Sequence, residues 1–149
     1  MASSKKHPEG IQSMGFRIWE LSNKWQREFN TALQPAGITH AQFLILSAAC
    51  TLAQSEPGGV SQSALSKWSH TDKMMTSKLV RTLTQKKHIK KSGSTIDARA
   101  NRVSPTEKGL KVYHKANQIM EGFEKKFFAP FRKEKAIAKR IAQVIEAGR

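Results

Sequence analysis

The chain has 149 residues, with 26 Lys and Arg against 11 Asp and Glu, a formal charge of +15 and a sequence pI near 10.3. That length holds one domain with a core large enough to fold without staples, and it leaves no room for a second, catalytic one. A charge so far from balance points to a polyanionic partner, and a single cysteine, Cys50, excludes an intramolecular disulfide framework and suits a reducing compartment. Residues 1–10 are polar without an apolar signal core, and no stretch approaches the roughly 20 apolar residues of a membrane span, so a cytoplasmic protein with no membrane partner is expected.

After the polar arm, Met14, Ile18, Leu21, Trp25, Phe29 and Leu33 recur at spacings of three and four, the stripe of an amphipathic helix that Pro35 and Gly37 end. Thr39 stands where an N-cap belongs, and residues 43–52 are almost continuously apolar, which predicts a second helix buried on most sides. Pro57, Gly58 and Gly59 close it with a loop. Ser61 caps a short third helix carrying Ala64, Leu65 and Trp68 inward, and residues 69–72 supply a turn and a second cap. A fourth helix then runs to about Lys86 with Met75, Leu79 and Leu83 inward. Two helices across so short a turn are the outline of a helix-turn-helix.

Ile89 and Val103 are the expected inward residues of two short strands, and the polar stretch between them, with Gly93, reads as a hairpin with an extended loop, the wing of a winged helix. Ser104, Pro105, Thr106 and Glu107 read as a capping box with Pro at the first helical position, so a long helix is expected to begin there. Its stripe is Leu110, Tyr113, Ala116, Met120, Phe123 and Phe127; Pro130 interrupts it, and a last helix carries Ile137, Ile141, Val144 and Ile145 on one side. The sequence has no internal repeat and no low-complexity segment. The expected fold class is mainly α with a small β-hairpin wing, a winged helix-turn-helix.

Residues 60–111 hold twelve basic against three acidic residues, +9 on that segment and +6 on the rest of the chain. The excess falls on the helix-turn-helix and hairpin, where phosphate contacts would fix the register of a docked duplex. On the fourth helix Lys73, Met74, Ser77, Lys78 and Arg81 lie opposite the apolar stripe, as on a helix whose outer face enters a major groove, with Lys78 or Arg81 suited to guanine edges. Ser61 and Thr71 at the helix-turn-helix caps and turn, and Lys90, Lys91 and Arg102 on the strands, complete the candidate DNA contacts together with Asp97 and Arg99. The last two are two apart on an extended segment, so the carboxylate can hold the guanidinium straight for a narrow minor groove. The plainer alternatives are a solvated Lys-rich face and an exposed loop ion pair worth below about 1 kcal/mol.

Other chemistries find little support. No phosphate-cradling Gly loop, nucleophile elbow or apolar carboxylate pair is present, so no enzymatic activity and no cofactor are expected. His7, His40, His70, His88 and His114 are scattered without ligand spacing, so no metal is expected. Cys50 has helical neighbours Leu46, Ser47, Ala53 and Gln54, none of them positive, which favours a buried structural thiol over a redox sensor. Trp25 and Trp68 fall on apolar stripes and Trp19 beside one, so core packing is expected of them rather than base stacking. The rival from another class is a nonspecific architectural DNA- or RNA-binding protein.

Three segments resemble the MarR family of transcriptional regulators. Residues 37–46, Gly-Ile-Thr-His-Ala-Gln-Phe-Leu-Ile-Leu, are similar to its second-helix opening, and residues 72–83, Asp-Lys-Met-Met-Thr-Ser-Lys-Leu-Val-Arg-Thr-Leu, to its recognition helix. Asp97-Ala-Arg99 followed by residues 103–109, Val-Ser-Pro-Thr-Glu-Lys-Gly, resembles its wing and wing exit, the most specific of the three. The resemblance spans about residues 37–127 and makes Asp97 and Arg99 the wing pair. It implies a homodimer through the first, fifth and sixth helices that binds a pseudo-palindromic operator in double-stranded DNA, in the manner of a ligand-responsive repressor with a pocket, between the dimer interface and the DNA-binding lobe, for a small, often aromatic, effector. In those terms residues 1–149 form one domain, with the helices of 11–34 and 105–147 as its dimerisation region and 38–104 as its winged helix-turn-helix lobe. This chain departs from the pattern in having Lys87 where the family commonly places Gly and His88 at a usually apolar position, so Lys87 in a left-handed cap is expected to carry mild strain.

Overall fold

The structure, a computed structural model, describes residues 13–93, 101–131 and 133–147 of the chain. Helix α1 spans Met14–Ala32, opened by Ser13, whose side chain accepts from the Phe16 N–H, and a 3-10 turn at Gln34–Ala36 follows it. Helix α2 spans His40–Leu52 and begins with a full capping box: Thr39 Oγ1 accepts from Gln42 N, and Gln42 Oε1 accepts from Thr39 N, each at 3.2 Å. It is the central element, with Ile45, Leu46, Ala48 and Ala49 wholly buried, as its continuous apolar run requires.

Strand β1 (Val60–Ser61) leads into α3 (Gln62–Ser69) and α4 (Lys73–Gln85), then β2 (Ile89–Ser92), β3 (Arg102–Pro105), α5 (Glu107–Phe127) and α6 (Glu134–Glu146). The sheet has three antiparallel strands in the order β1-β3-β2, so the expected hairpin gains a strand, with Val60 opposite Val103 and Ile89 opposite Pro105. Val60, Ile89 and Val103 seal one side of a core that continues through Phe29, Leu33, Leu65, Val80 and Leu83. Each such side chain contributes about 1.5–3 kcal/mol by leaving water. Gly59, at φ 96, permits the sheet to close: a Cβ there would stand 2.7 Å from the Arg102 Cβ.

Several expectations need correction. The long helix is capped by Thr106, which accepts from Gly109 N at 3.0 Å, and not by Ser104; Ser104 and Pro105 belong to β3, because pairing with Lys90 and Ile89 prolongs the strand past the local cap signal. On α4 the inward face is Thr76, Leu79, Val80 and Leu83, while Met75 is 44 % exposed. Trp25 packs against the core, but Trp19 is 61 % and Trp68 40 % exposed, so neither is a core residue of the single chain. The stripes of α1 and α6 are only partly covered. Met14 and Ile18 are exposed, as are Leu110 on α5 and Ile137, Ile141, Val144 and Ile145 on α6, a helix with no buried residue.

Candidate nucleic-acid interface

The turn between α3 and α4 is fixed by hydroxyl groups. Ser66 Oγ donates to the Thr71 carbonyl at 2.6 Å, Ser69 Oγ donates to the Leu65 carbonyl at 2.7 Å, and the hydroxyls of Ser69, Thr71 and Thr76 form a chain with 2.7 Å links. His70 takes the left-handed conformation, φ 54, that closes α3. Asp72 Oδ1 then accepts from Met75 N at 2.8 Å, placing a carboxylate at the positive end of α4. This network joins Thr71 to Thr76 in the turn, and Ser61 accepts from Ala64 N at 3.1 Å as the cap of α3.

With its other side held in the core, α4 presents Lys73, Met74, Ser77, Lys78 and Arg81 to solvent, all exposed and gathered on one face by the helical repeat. Lys90 and Lys91 on β2 are exposed as well. Arg102 on β3 is engaged by Glu56 at 3.5 Å, in the loop before β1. Asp97 and Arg99 lie outside the described residues. The basic excess is therefore uneven in its freedom: Lys111 pairs with Glu107 at 3.2 Å, and the ammonium groups of Lys86 and Lys108 donate to groups of the protein.

The C-terminal end of α4 closes in a Schellman arrangement, with Lys87 N donating to the Thr84 carbonyl and His88 N to the Leu83 carbonyl, both at 2.9 Å. As the departure from the family pattern implied, Lys87 stands at φ 60 and His88 is buried. The Nδ1 of His88 has no hydrogen-bond partner, and burial, with Lys108 and Lys86 nearby, holds this imidazole below its ordinary value. The segment 106–109 grips this end: Thr106 Oγ1 donates to the Lys87 carbonyl at 2.7 Å, Thr106 N to the His88 carbonyl at 3.0 Å, and Lys108 Nζ to the Lys86 carbonyl at 3.1 Å. The sequence marked this segment as a motif, and its contacts give the reason: it holds the C-terminal end of α4 to α5.

Away from this face, rings of Trp25, Phe29, His40, Phe43 and Phe123 pack against one another between α1, α2 and α5. A cavity of about 460 Å³ opens instead between α1, α5 and α6, lined by Leu21, Phe128, Phe131, Ile137 and Ile141 and by Glu124 and Glu134. Burial and the neighbouring Glu134 raise the Glu124 carboxyl above its ordinary range. Cys50 is buried and its thiol is pushed up to about 11, as expected of a structural cysteine. Among the described residues no three His, Cys, Asp or Glu gather in a metal-binding group, and no helix is long and apolar enough to cross a membrane.

No family model matches the chain. It is 32 % identical over 134 residues to the uncharacterized HTH-type transcriptional regulator YdcH of Bacillus subtilis, covering 90 % of each chain. Among solved structures it is similar to a MarR transcriptional regulator from Methanosarcina mazei Go1, with 25 % identity, a TM-score of 0.72 and coverage of 90 % and 94 % of the two chains. It shares the fold of a mutant MarR from E. coli complexed with operator DNA, at TM-score 0.75, 20 % identity and coverage of 91 % and 95 %. It shares it too with CouR from Rhodococcus jostii RHA1 bound to p-coumaroyl-CoA, at TM-score 0.76, 18 % identity and 91 % of each chain. With the helix-turn-helix, the three-stranded wing sheet and the long helices on either side of them, these likenesses establish that the chain belongs to the MarR family of winged-helix transcriptional regulators.

Proposed function

We propose that the protein acts as a homodimer that binds a pseudo-palindromic operator in double-stranded DNA and responds to a small aromatic effector as a repressor. The two α4 helices enter successive major grooves roughly 34 Å apart, and the wings carrying Asp97 and Arg99 reach the flanking minor grooves. The observation that carries this reading is the outer face of α4: Lys73, Met74, Ser77, Lys78 and Arg81 are all exposed on a helix whose opposite face is locked into the core, and Lys90 and Lys91 are exposed on β2, the next strand. Ser61, Thr71 and Arg102, the further candidate contacts, also hold the caps, the turn and the sheet that aim this face.

Dimerisation is supported by the large apolar side chains that α1 and α6 leave exposed, among them Ile18, Trp19, Ile141 and Ile145, since so many of them in water call for a cover. A second copy is the occupant that the family resemblance implies. The cavity between α1, α5 and α6 opens on the same side, within the size range of small-molecule sites, and is the candidate chamber for the effector.

The test is selection of bound duplexes from a random pool at about 150 mM salt, a concentration at which nonspecific phosphate binding is already weakened. One enriched palindrome supports the sequence-specific dimer. Tight binding with no enrichment refutes it and leaves the nonspecific architectural reading, which the charge of +15 favours. On an enriched operator, Arg99→Ala should cost about 1–3 kcal/mol of binding, and Lys90→Ala or Lys91→Ala should weaken all duplexes alike and flatten the salt slope by about one unit.

A further inference from the structure

Lys86 adds to the positive charge of the helix-turn-helix, yet its ammonium is directed into the protein. From the C-cap of α4, Nζ donates to the Gly37 carbonyl at 2.8 Å and to Gln42 Oε1 at 3.1 Å, partners 49 and 44 residues earlier in the chain. Both acceptors are prepared for it. Gly37 closes the 3-10 turn Gln34–Ala36, where terminal carbonyls lack helical partners and favour a cation. The Gln42 oxygen is already oriented by the Thr39 N–H of the capping box. Lys115 on α5 reaches the same turn, donating to the Pro35 carbonyl at 2.6 Å, and Lys108 donates to the carbonyl of Lys86 itself. The turn joining α1 to α2 thus receives one ammonium from α4 and one from α5.

We infer that Lys86 is a positioning residue for operator recognition, tying the C-terminal end of α4 to the turn that follows α1, and that it does not contact DNA phosphate. Two of the three ammonium donors are held by these acceptors, and swinging the side chain outward to a phosphate would strip both oriented acceptors of theirs. The tie fixes one end of a helix about 20 Å long against the α1–α2 turn, so losing it frees that end to shift relative to α1 while Thr106 and Lys108 still hold it to α5. This inference rests on the dimeric operator reading, in which the spacing of two α4 helices must match that of two half-sites.

The experiment compares wild type, Lys86→Met, Lys86→Gln and Lys86→Arg on the selected operator and on duplexes whose half-site spacing is changed by one base pair, each across a salt series. Lys86→Met should lower the preference for the native spacing by roughly 2- to 30-fold with the salt slope unchanged. Lys86→Gln, which keeps a donor for one acceptor, should fall between, and Lys86→Arg should retain the preference. Lys90→Met, losing an exposed charge, should instead flatten the slope by about one unit at unchanged spacing preference. If Lys86→Met behaves like Lys90→Met, Lys86 is a phosphate contact and the inference is wrong. A lower melting temperature with unaltered spacing preference would reduce Lys86 to a stabilising contact and overturn it equally. Absence of any spacing preference in the wild type would remove the dimeric operator reading, and this inference with it.

Discussion

Replacing Gly109 by Ala sets a methyl group against the main chain that ends the recognition helix. An added Cβ would overlap the His88 carbonyl oxygen and lie 2.8 Å from its carbonyl carbon and 3.2 Å from its Cα. These are backbone atoms of the segment that Thr106 holds, so no side-chain rotation relieves the contact and α5 must move away from α4. Forced overpacking of this kind costs about 1–3 kcal/mol, occasionally more. The helix propensity of Ala over Gly returns at most about 1 kcal/mol. A net loss of about 1–2 kcal/mol lowers the melting temperature by roughly 3–6 °C for a chain of this length. Gly122 in the same helix has nothing within 4 Å of its added Cβ, so Gly122→Ala gains the propensity term alone and should raise the melting temperature by up to about 3 °C. Circular dichroism melts of both variants and the wild type at one protein concentration, held constant because association shifts apparent stability, read the difference directly. Gly109→Ala melting at or above the wild type would refute the close-approach argument.

Lys87→Gly should raise stability by about 1 kcal/mol, because Lys87 stands at φ 60 where Gly carries no Cβ penalty, and urea midpoints check this. His88 has a lowered folded value, so the unfolded chain takes up its proton first and stability falls as pH drops below the ordinary 6.5. His88→Leu should therefore stabilise more at about pH 5.5 than at about pH 8, and an equal gain at both would show that His88 does not titrate between them. Cys50 should resist alkylation in the native protein and react once unfolded; because its folded thiol is pushed up to about 11, stability is full below the ordinary 9.0 and falls as pH rises toward 11. Rapid native-state alkylation would contradict its burial.

The elements legible in the sequence are those whose signals are local. Thr39, Ser61 and Asp72 cap the helices assigned to them because an N-cap bonds only three residues ahead. Ser104 misled for the same reason in reverse. It has Glu107 at the capping-box spacing, whereas Thr106, the true cap, has at that spacing Gly109, with no side chain to complete a box; the ladder to β2 decides between them. Strand β1 is two residues long and pairs with a partner 43 positions away at Val103, so no alternation reveals it. The outer face of α4 followed from periodicity. The engagement of Lys86 did not, because its acceptors are brought near only by the tertiary fold. Ile18 and Ile141 show the other limit of periodicity: a stripe says that a face is apolar and leaves open whether the same chain or another covers it.

The two ends of α4 are held by different parts of the molecule. At the N-terminal end the hydroxyls of Ser69, Thr71 and Thr76 bind it to α3, within the helix-turn-helix itself. At the C-terminal end Thr106, Lys108 and the close approach of Gly109 bind it to the first turn of α5, which runs for 21 residues toward the exposed apolar surface of α6 and the cavity beside it. A displacement of α5 would thus reach the C-terminal end of α4 directly through these contacts, whereas the N-terminal end is held by α3. The effector proposed for that cavity would act only to the extent that it binds one α5 geometry better than another, and a coupling of about 1–3 kcal/mol would change operator affinity by roughly 5- to 150-fold. Gly109, at the junction, is where that coupling is most exposed to a single methyl group.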